Sequence, residues 1–269
     1  MRDRSQAICL ILCLSGMACP DAFAVEAEPT CPARAMSVLA PARQLVTVAT
    51  PSWNSQTATM AVWERQTSKS VWRQSIELQA NFPSEAVVGK SGLAWGYGYT
   101  ALQGVSETYG RLKQEGDGRS PAGIYSIGKR FGFAEANSET YRRISADTYC
   151  VDDPSSRYYN QIIDANGVAT DWQSAEHMRE INLYRSGFEI EYRSNARSRG
   201  GSCIFLHIWR ARGKGTSGCT AVPEGAMNVL QNWLKPIYKP AIAILPRQQF
   251  TDWAACFPGV SVTAEPSSH

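Results

Sequence analysis

Two side chains in this 269-residue sequence are suited to covalent acyl transfer. His207 lies in the apolar run Ser202-Cys-Ile-Phe-Leu-His-Ile-Trp209. Twelve residues later, Cys219 follows a glycine in Thr216-Ser-Gly-Cys-Thr220. A thiol attacks a carbonyl as its thiolate, and a nearby imidazole can take the proton and later protonate a leaving amine. Glycine lets the backbone turn sharply, so the N–H groups of Ser217, Gly218 and Cys219 can converge on one oxygen as an oxyanion hole. A helix predicted from Pro223 would point its N-terminus toward Cys219 and favour a thiolate there. The same residues also have a plainer reading. His207 can be a satisfied core histidine, and Cys219 a disulfide partner of Cys203 or Cys256; spacing alone leaves both open. A metal centre is not expected, because two or three possible ligands fall short of a closed zinc set.

The other cysteines bear on that choice. Arg2 and Arg4, the short apolar stretch Ile8 to Ala18 and the Ala22-Phe-Ala24 site have the order of an export signal over residues 1–24. Gly16-Met-Ala-Cys19 is a poor lipobox, because glycine stands where leucine is usual. No other segment approaches membrane-spanning length. Removing the signal takes Cys9, Cys13 and Cys19 with it and leaves Cys31, Cys150, Cys203, Cys219 and Cys256. In an oxidising compartment pairing is the default, and an odd number leaves one thiol over. Of the three pairings open to the remaining four, Cys150–Cys203 and Cys31–Cys256 are expected; the second would tie the two ends of the domain together.

These side chains need a frame. Residues 25–40 read as a linker. Gln44 to Thr50, Thr57 to Glu64 and Val71 to Leu78 have strand patterns, the last two flanking a polar turn at Thr67-Ser-Lys69. Ala86 to Leu93 reads as a strand broken by glycines; its Gly-Lys-Ser lacks the earlier glycine and the helix of a phosphate loop. Glu115-Gly-Asp-Gly-Arg-Ser-Pro-Ala-Gly-Ile-Tyr-Ser-Ile127 is a tight turn entering an alternating strand. Residues 131–146 look polar and irregular, and Asp152-Asp153-Pro154 looks like a turn. Thr170 to Tyr184 is predicted helical, with Trp172, Ala175, Met178 and Ile181 on one stripe, Thr170 or Asp171 as cap, and His177 on the helix surface. Phe188, Ile190 and Tyr192 alternate with charged residues as in a half-exposed strand. Ser202 to Trp209 should be a central covered strand with Cys203, Phe205, His207 and Trp209 on one face. Val229, Leu230, Trp233 and Leu234 give the helix after Pro223 its buried face, and Pro240 to Leu245 reads as a last buried strand.

Composition sets outer bounds. With 43% hydrophobic and 19% charged residues the chain can bury a core, and a net charge of +3 is too small and dispersed for nucleic-acid binding. The strand count predicts one mainly β (α+β) domain.

The motifs together resemble the L,D-transpeptidase catalytic domain, the YkuD-like family of bacterial cell-wall enzymes. His207 followed by Thr216-Ser217-Gly218-Cys219 is similar to the family's histidine and [Ser/Thr]-x-Gly-Cys. Gly116-Asp-Gly-Arg-Ser-Pro-Ala-Gly-Ile124 looks like its Gly-Asp-Gly turn, and Gln44-Leu-Val-Thr-Val48 with Val88-Gly-Lys-Ser-Gly92 looks like its opening strands. The likeness covers about residues 41–246, leaving 247–269 as a tail with Cys256. It implies a YkuD-like β-sandwich of mixed sheets with a few helices packed on it. It implies a periplasmic enzyme whose Cys219 attacks the carbonyl of a diamino-acid residue in a peptidoglycan stem peptide. His207 would act as base and then acid, with no cofactor, and carbapenems would acylate the thiol. The Tyr149-to-Asp153 and Ser202-to-Trp209 stretches suggest exported members with an extra disulfide. Two positions depart from the family: Ser217 stands where histidine is frequent, and Ala221 where a substrate-holding arginine is frequent. Arg119, Arg210, Arg212 or Lys214 would then contact the substrate carboxylate. The alternatives are an L,D-carboxypeptidase or amidase with water as acceptor, and a non-catalytic peptidoglycan-binding module.

Overall fold

A computed structural model describes residues 31–75, 82, 84–99, 111–135 and 138–262. The export segment read over residues 1–24 and the end of the Val71–Leu78 strand lie outside them. Among the described residues no helix is long and apolar enough to cross a membrane.

The first and last strands meet at the centre. β1 (Gln44–Thr50) is buried along its whole length, and the last strand, Ala241–Pro246, is equally apolar. They pair in parallel from Leu45↔Ala241 to Thr50↔Pro246, so both faces are covered, as a continuous apolar run requires. β1 also pairs antiparallel with β2 (Thr57–Glu64). β2 in turn holds β3 (Arg73–Gln74) and β4 (Glu85–Val87). After β5 (Leu93–Trp95) comes the long β6 (Ser120–Gly132), which bonds β5 and β7 (Tyr141–Arg143) as well as its main neighbours. A separate sheet follows, built of β8 (Thr148–Val151), β9 (Ile162–Asp164) and β10 (Ala175–His177). The chain then re-enters the main sheet as β11 (Ser186–Ile190), β12 (Phe205–Ile208) and β13 (Thr220–Val222), and ends it as β14 (Ala241–Pro246).

The main sheet is a closed, barrel-like ring rather than a sandwich. Its order is β1-β14-β6-β11-β12-β13-β4-β2, and the β1–β2 pairing joins the ends. A sandwich needs two sheets with free edges; here β2 bonds both β1 and β4, so those edges are consumed. The expectation of a mainly β protein with a few helices stands. Helix α1 (Ala33–Leu39), α2 (Glu224–Trp233) and α3 (Arg247–Asp252) pack on the ring, and Ala226, Met227 and Leu230 form the buried stripe of α2.

Alternation along β12 divides two cores. Leu206 and Ile208 join the main apolar core, whereas Phe205 faces a smaller cluster with Phe131, Ile144, Met178, Tyr184, Cys150, Cys203 and Cys219. Cys203 itself precedes the strand, in a left-handed conformation with φ 55°. The 3-stranded sheet and its following turns cover this second face.

Four sequence expectations change. The helix predicted over Thr170 to Tyr184 is β10 followed by two 3-10 turns, Met178–Glu180 and Asn182–Arg185. Trp172, Ala175, Met178 and Ile181 recur every three residues, which suits 3-10 turns as well as an α-helical stripe. Pairing of Ala175, Glu176 and His177 with Val151, Cys150 and Tyr149 decides it. Asp171 accepts a bond from Ser156 Oγ at 2.5 Å instead of capping a helix. The described part of the 25–40 linker carries α1, with Ala35 and Leu39 buried. The described part of the 247–269 tail packs into the domain, since Phe250, Trp253, Cys256 and Phe257 belong to the main core. Within 131–146, the end of β6 and β7 are regular.

Both expected disulfides are present, Cys31–Cys256 with Cα atoms 4.8 Å apart and Cys150–Cys203 at 5.9 Å. Cys219 is the free cysteine of the described chain.

Candidate active site

β12 and β13 bring His207 and Cys219 to one face. They run in parallel with Leu206↔Thr220 and His207↔Ala221, so Cys219 enters the sheet beside Phe205. Residues 205 and 207 point the same way, about 6–7 Å apart along the strand. The Cys219 sulfur accepts the Phe205 N–H at 3.3 Å and donates to the Cys203 carbonyl at 3.2 Å. Tyr184 packs in the same apolar cluster as the thiol. His207 Nδ1 bonds the Ile208 carbonyl at 2.8 Å. A carbonyl only accepts, so Nδ1 carries the proton and Nε2 keeps its lone pair.

Tyr184 lies beside both members. Its ring edge meets the His207 imidazole at a centroid distance of 5.1 Å, and it shares an apolar cluster with Cys219. Its hydroxyl donates to Glu176 Oε2 at 2.7 Å. Glu176 lies on β10 directly across from Cys150, whose disulfide leads to Cys203, the carbonyl partner of the thiol. Tyr184 and Glu176 were not singled out in the sequence. The stripe read as helical hid both, and no local motif marks them.

The glycine-rich turn braces the cysteine from the other side. Asp117 accepts bonds from the amides of Gln114 and Arg119, both at 2.9 Å, while Gly116 and Gly118 take φ of 72° and 66°. This delivers the Ser120 hydroxyl to the Cys219 carbonyl at 2.8 Å, and Ser120 also accepts the Gly89 N–H at 2.8 Å. A Cβ on Gly89 would sit 2.6 Å from Arg119 Cα, so only glycine admits that approach. Thr216 Oγ1 donates to the Cys219 carbonyl at 2.6 Å and accepts the Gly218 N–H at 3.1 Å. Of the three amides expected to form an oxyanion hole, that of Gly218 is therefore engaged in this state. Lys113, 6% exposed, binds Asp117 at 2.6 Å and sends positive charge toward the thiol.

Burial sets the electrostatics. It pushes the Cys219 thiol up to about 12, with the Glu176 charge adding to the rise and the Phe205 N–H, Tyr184 and Lys113 opposing it. It pushes His207 down to about 4, against the Ile208 bond. In the resting state both are neutral.

The sequence model of the L,D-transpeptidase catalytic domain (YkuD) matches residues 55–244, which include every residue of this site. The chain belongs to that family. No curated protein matches it, and no solved structure does.

Within this L,D-transpeptidase domain the expected substrate-holding residues are dispersed. Arg119 donates to the carbonyls of Trp53 and Leu93 and to Asn54 Oδ1, tying loops together. Arg212 pairs with Glu85, and Arg210 is exposed. Ala221 is fully buried beside His207, so its side chain has no route to a substrate carboxylate. His177 lies on β10, stacked on Tyr149 at 4.6 Å and bonded to Glu180 at 2.9 Å, away from Cys219.

Glu176 carries a measurable cost in this L,D-transpeptidase domain. Burial raises its carboxyl from 4.5 to about 7; the Tyr184 bond opposes this, and the charges of Asp152 and Glu115 add to it. A folded-state value above the unfolded one means that folding binds a proton. The stability is complete below the unfolded value of 4.5 and is lost as pH rises toward 7. Glu176→Gln is expected to be about 2–3 kcal/mol more stable than wild type at pH 8 and equal to it at pH 4. Urea unfolding at the two pH values measures this. An equal gap at both would mean that ionisation is not the cause.

Proposed function

We propose that the protein is an exported L,D-transpeptidase that moves acyl groups between peptidoglycan stem peptides, with Cys219 as the nucleophile. The observation that carries this reading is the one free cysteine among the described residues, set beside the strand that carries His207 within the family's domain. Cys219 attacks the carbonyl of the diamino-acid residue of a donor stem. The terminal D-residue leaves as an amine, and an acyl-enzyme remains. An amine of a second stem, or a D-amino acid, resolves it. His207 moves protons to and from the reacting nitrogen through Nε2, and the amides of Ser217, Gly218 and Cys219 hold the oxyanion once Gly218 releases Thr216. Since Cys219 is 6% exposed, binding the donor requires the covering segment to shift. Arg210, one of the exposed cations of the loop before Cys219, is the first candidate for the donor carboxylate. Two disulfides suit an oxidising compartment, in keeping with export to the periplasm.

The test uses the oxidised mature chain with meropenem and, separately, with tetrapeptide muropeptides. Expected are one adduct mapped to Cys219, and crosslinked or D-residue-exchanged products. Tripeptide as the sole product would make water the acceptor and the protein an L,D-carboxypeptidase. An unmodified Cys219 together with unchanged muropeptides overturns the enzymatic reading in favour of a peptidoglycan-binding module.

A further inference from the structure

We infer that Tyr184 is a positioning residue for His207 and that Glu176 anchors it, so that the small outer sheet places the histidine as well as the cysteine. The inference rests on the assignment of Cys219 and His207 as the reacting pair. It leaves the movement of protons with His207.

The imidazole needs a second hold. Among the described residues its one hydrogen bond runs from Nδ1 to the carbonyl of Ile208, the next residue of its own chain. That bond selects the tautomer, but a ring tied at one atom can still tilt about it. Tyr184 stands against the ring, with the two planes at 77° and the centroids 5.1 Å apart, an edge-to-face arrangement that aromatic rings favour. Tyr184 is itself wedged and is 4% exposed. It meets Phe205, on the same strand as His207, at 5.5 Å, and Phe131 on β6 at 5.9 Å, with interplanar angles of 84° and 83°. Such packing still lets a ring slide along its own long axis. The hydroxyl stops that by donating to Glu176 Oε2 at 2.7 Å.

The two holds share one support. Glu176 on β10 lies directly across from Cys150 on β8. Cys150 is bridged to Cys203, whose carbonyl is 3.2 Å from the Cys219 sulfur. Glu176 thus reaches His207 through Tyr184, and Cys150 reaches Cys219 through Cys203. One rung of the small sheet sets the place of both members of the pair, which near-attack geometry requires to within a fraction of an ångström. The choice of residue agrees. Burial raises Glu176 to about 7, so the chain keeps an acid where it loses stability at higher pH. An apolar side chain would fill the same cluster without that loss, but it could not accept the Tyr184 hydroxyl.

Three variants test this. Tyr184→Phe keeps the ring against His207 and removes only the anchoring bond. Glu176→Leu removes the same bond from the other side, and Glu176→Gln keeps an oxygen that accepts it. The maximal rate of acylation by meropenem is expected to fall about 10-fold or more in Tyr184→Phe and in Glu176→Leu, with the half-saturating concentration unchanged. Glu176→Gln should stay within about threefold of wild type, and the Tyr184→Phe/Glu176→Leu double variant should be no slower than the slower single, because one bond is lost only once. A second readout needs no substrate. Burial holds His207 at about 4, below its ordinary 6.5. Where the ring is loosened water enters, so its imidazole resonance should titrate closer to 6.5 in Tyr184→Phe and Glu176→Leu and stay at the wild-type value in Glu176→Gln. Tyr184→Phe with the wild-type rate or the wild-type His207 titration overturns the inference. So does Glu176→Gln falling as far as Glu176→Leu, which would make the charge and not the bond the source, and so do losses that multiply in the double variant. If Glu176→Leu does not fold, Tyr184→Phe and Glu176→Gln decide. If wild type neither reacts with meropenem nor processes stem peptides, the transpeptidase assignment fails, and the His207 titrations still decide whether Tyr184 holds the ring.

Discussion

Cys219→Ala is expected to reduce acyl transfer by at least roughly 10⁴-fold, with folding intact. The site retains its backbone amides, its proton carrier and any affinity for the donor stem, but no atom remains to hold the acyl group. Cys219→Ser should lose nearly as much, since the structure already holds the far more acidic thiol at about 12. Folding is spared because the carbonyl of residue 219, not its side chain, takes the Ser120 and Thr216 bonds. The sulfur's own bonds, to Phe205 and Cys203, are weak. The check is a muropeptide assay beside a thermal melt. Substantial transfer by Cys219→Ala would refute the nucleophile assignment, and a collapsed melt would show that the thiol is structural.

The largest effect on stability belongs to the other disulfide. Cys31–Cys256 closes a loop with a sequence separation of 225. The chain-entropy relation gives about 5 kcal/mol for a loop of that size, against about 4 kcal/mol for Cys150–Cys203 with its separation of 53. Packing adds to this, because the bridge fastens α1 to the segment that buries Phe250, Trp253 and Phe257. Cys31→Ser with Cys256→Ser should therefore lower the denaturant midpoint more than the Cys150/Cys203 pair does, while leaving the order of Cys219, Tyr184 and Glu176 unchanged. Removing Cys150–Cys203 should do the reverse, costing less stability but impairing acylation. Unfolding and acylation measured on both double variants decide this; equal effects on both quantities would disprove the separation.

The candidate pair, His207 and Cys219, stands out in the sequence because it depends on residue type and short spacing. His207 lies on β12 and Cys219 just before the adjacent β13, and the odd number of cysteines after residue 24 leaves one thiol over. The same count leaves four cysteines with three possible pairings, and the expected one is present. Strands with strong apolar character, such as Gln44–Thr50 and Ala241–Pro246, were legible for the same reason. Ring closure was not, because it depends on β2 pairing with two partners at once, a long-range fact that no local pattern records. The segment from 170 to 184 was misread because three-residue spacing does not separate α from 3-10, and its pairing partners lie more than 20 residues earlier. Glu176 and Tyr184 were lost with it. The glycine-rich turn was noticed, but the reason for it, a Ser120 hydroxyl beneath the Cys219 carbonyl, exists only in three dimensions.

The place of β14 has a consequence for how the chain is made. It lies between β1 and β6, yet it is synthesised after both. Until residues 241–246 arrive, β1 and β6 present facing rows of unpaired amides and carbonyls, the kind of edge that recruits strands from other chains. The nascent chain must remain unassembled, or shielded by a holdase, almost to its end. Its folding is then dominated by contacts between distant parts of the sequence, which makes it slow. A premature stop before residue 241 would not yield a weakened enzyme. It would yield a sheet with a missing stave, prone to aggregate, and cells would meet such a product as a proteostasis burden rather than as partial activity.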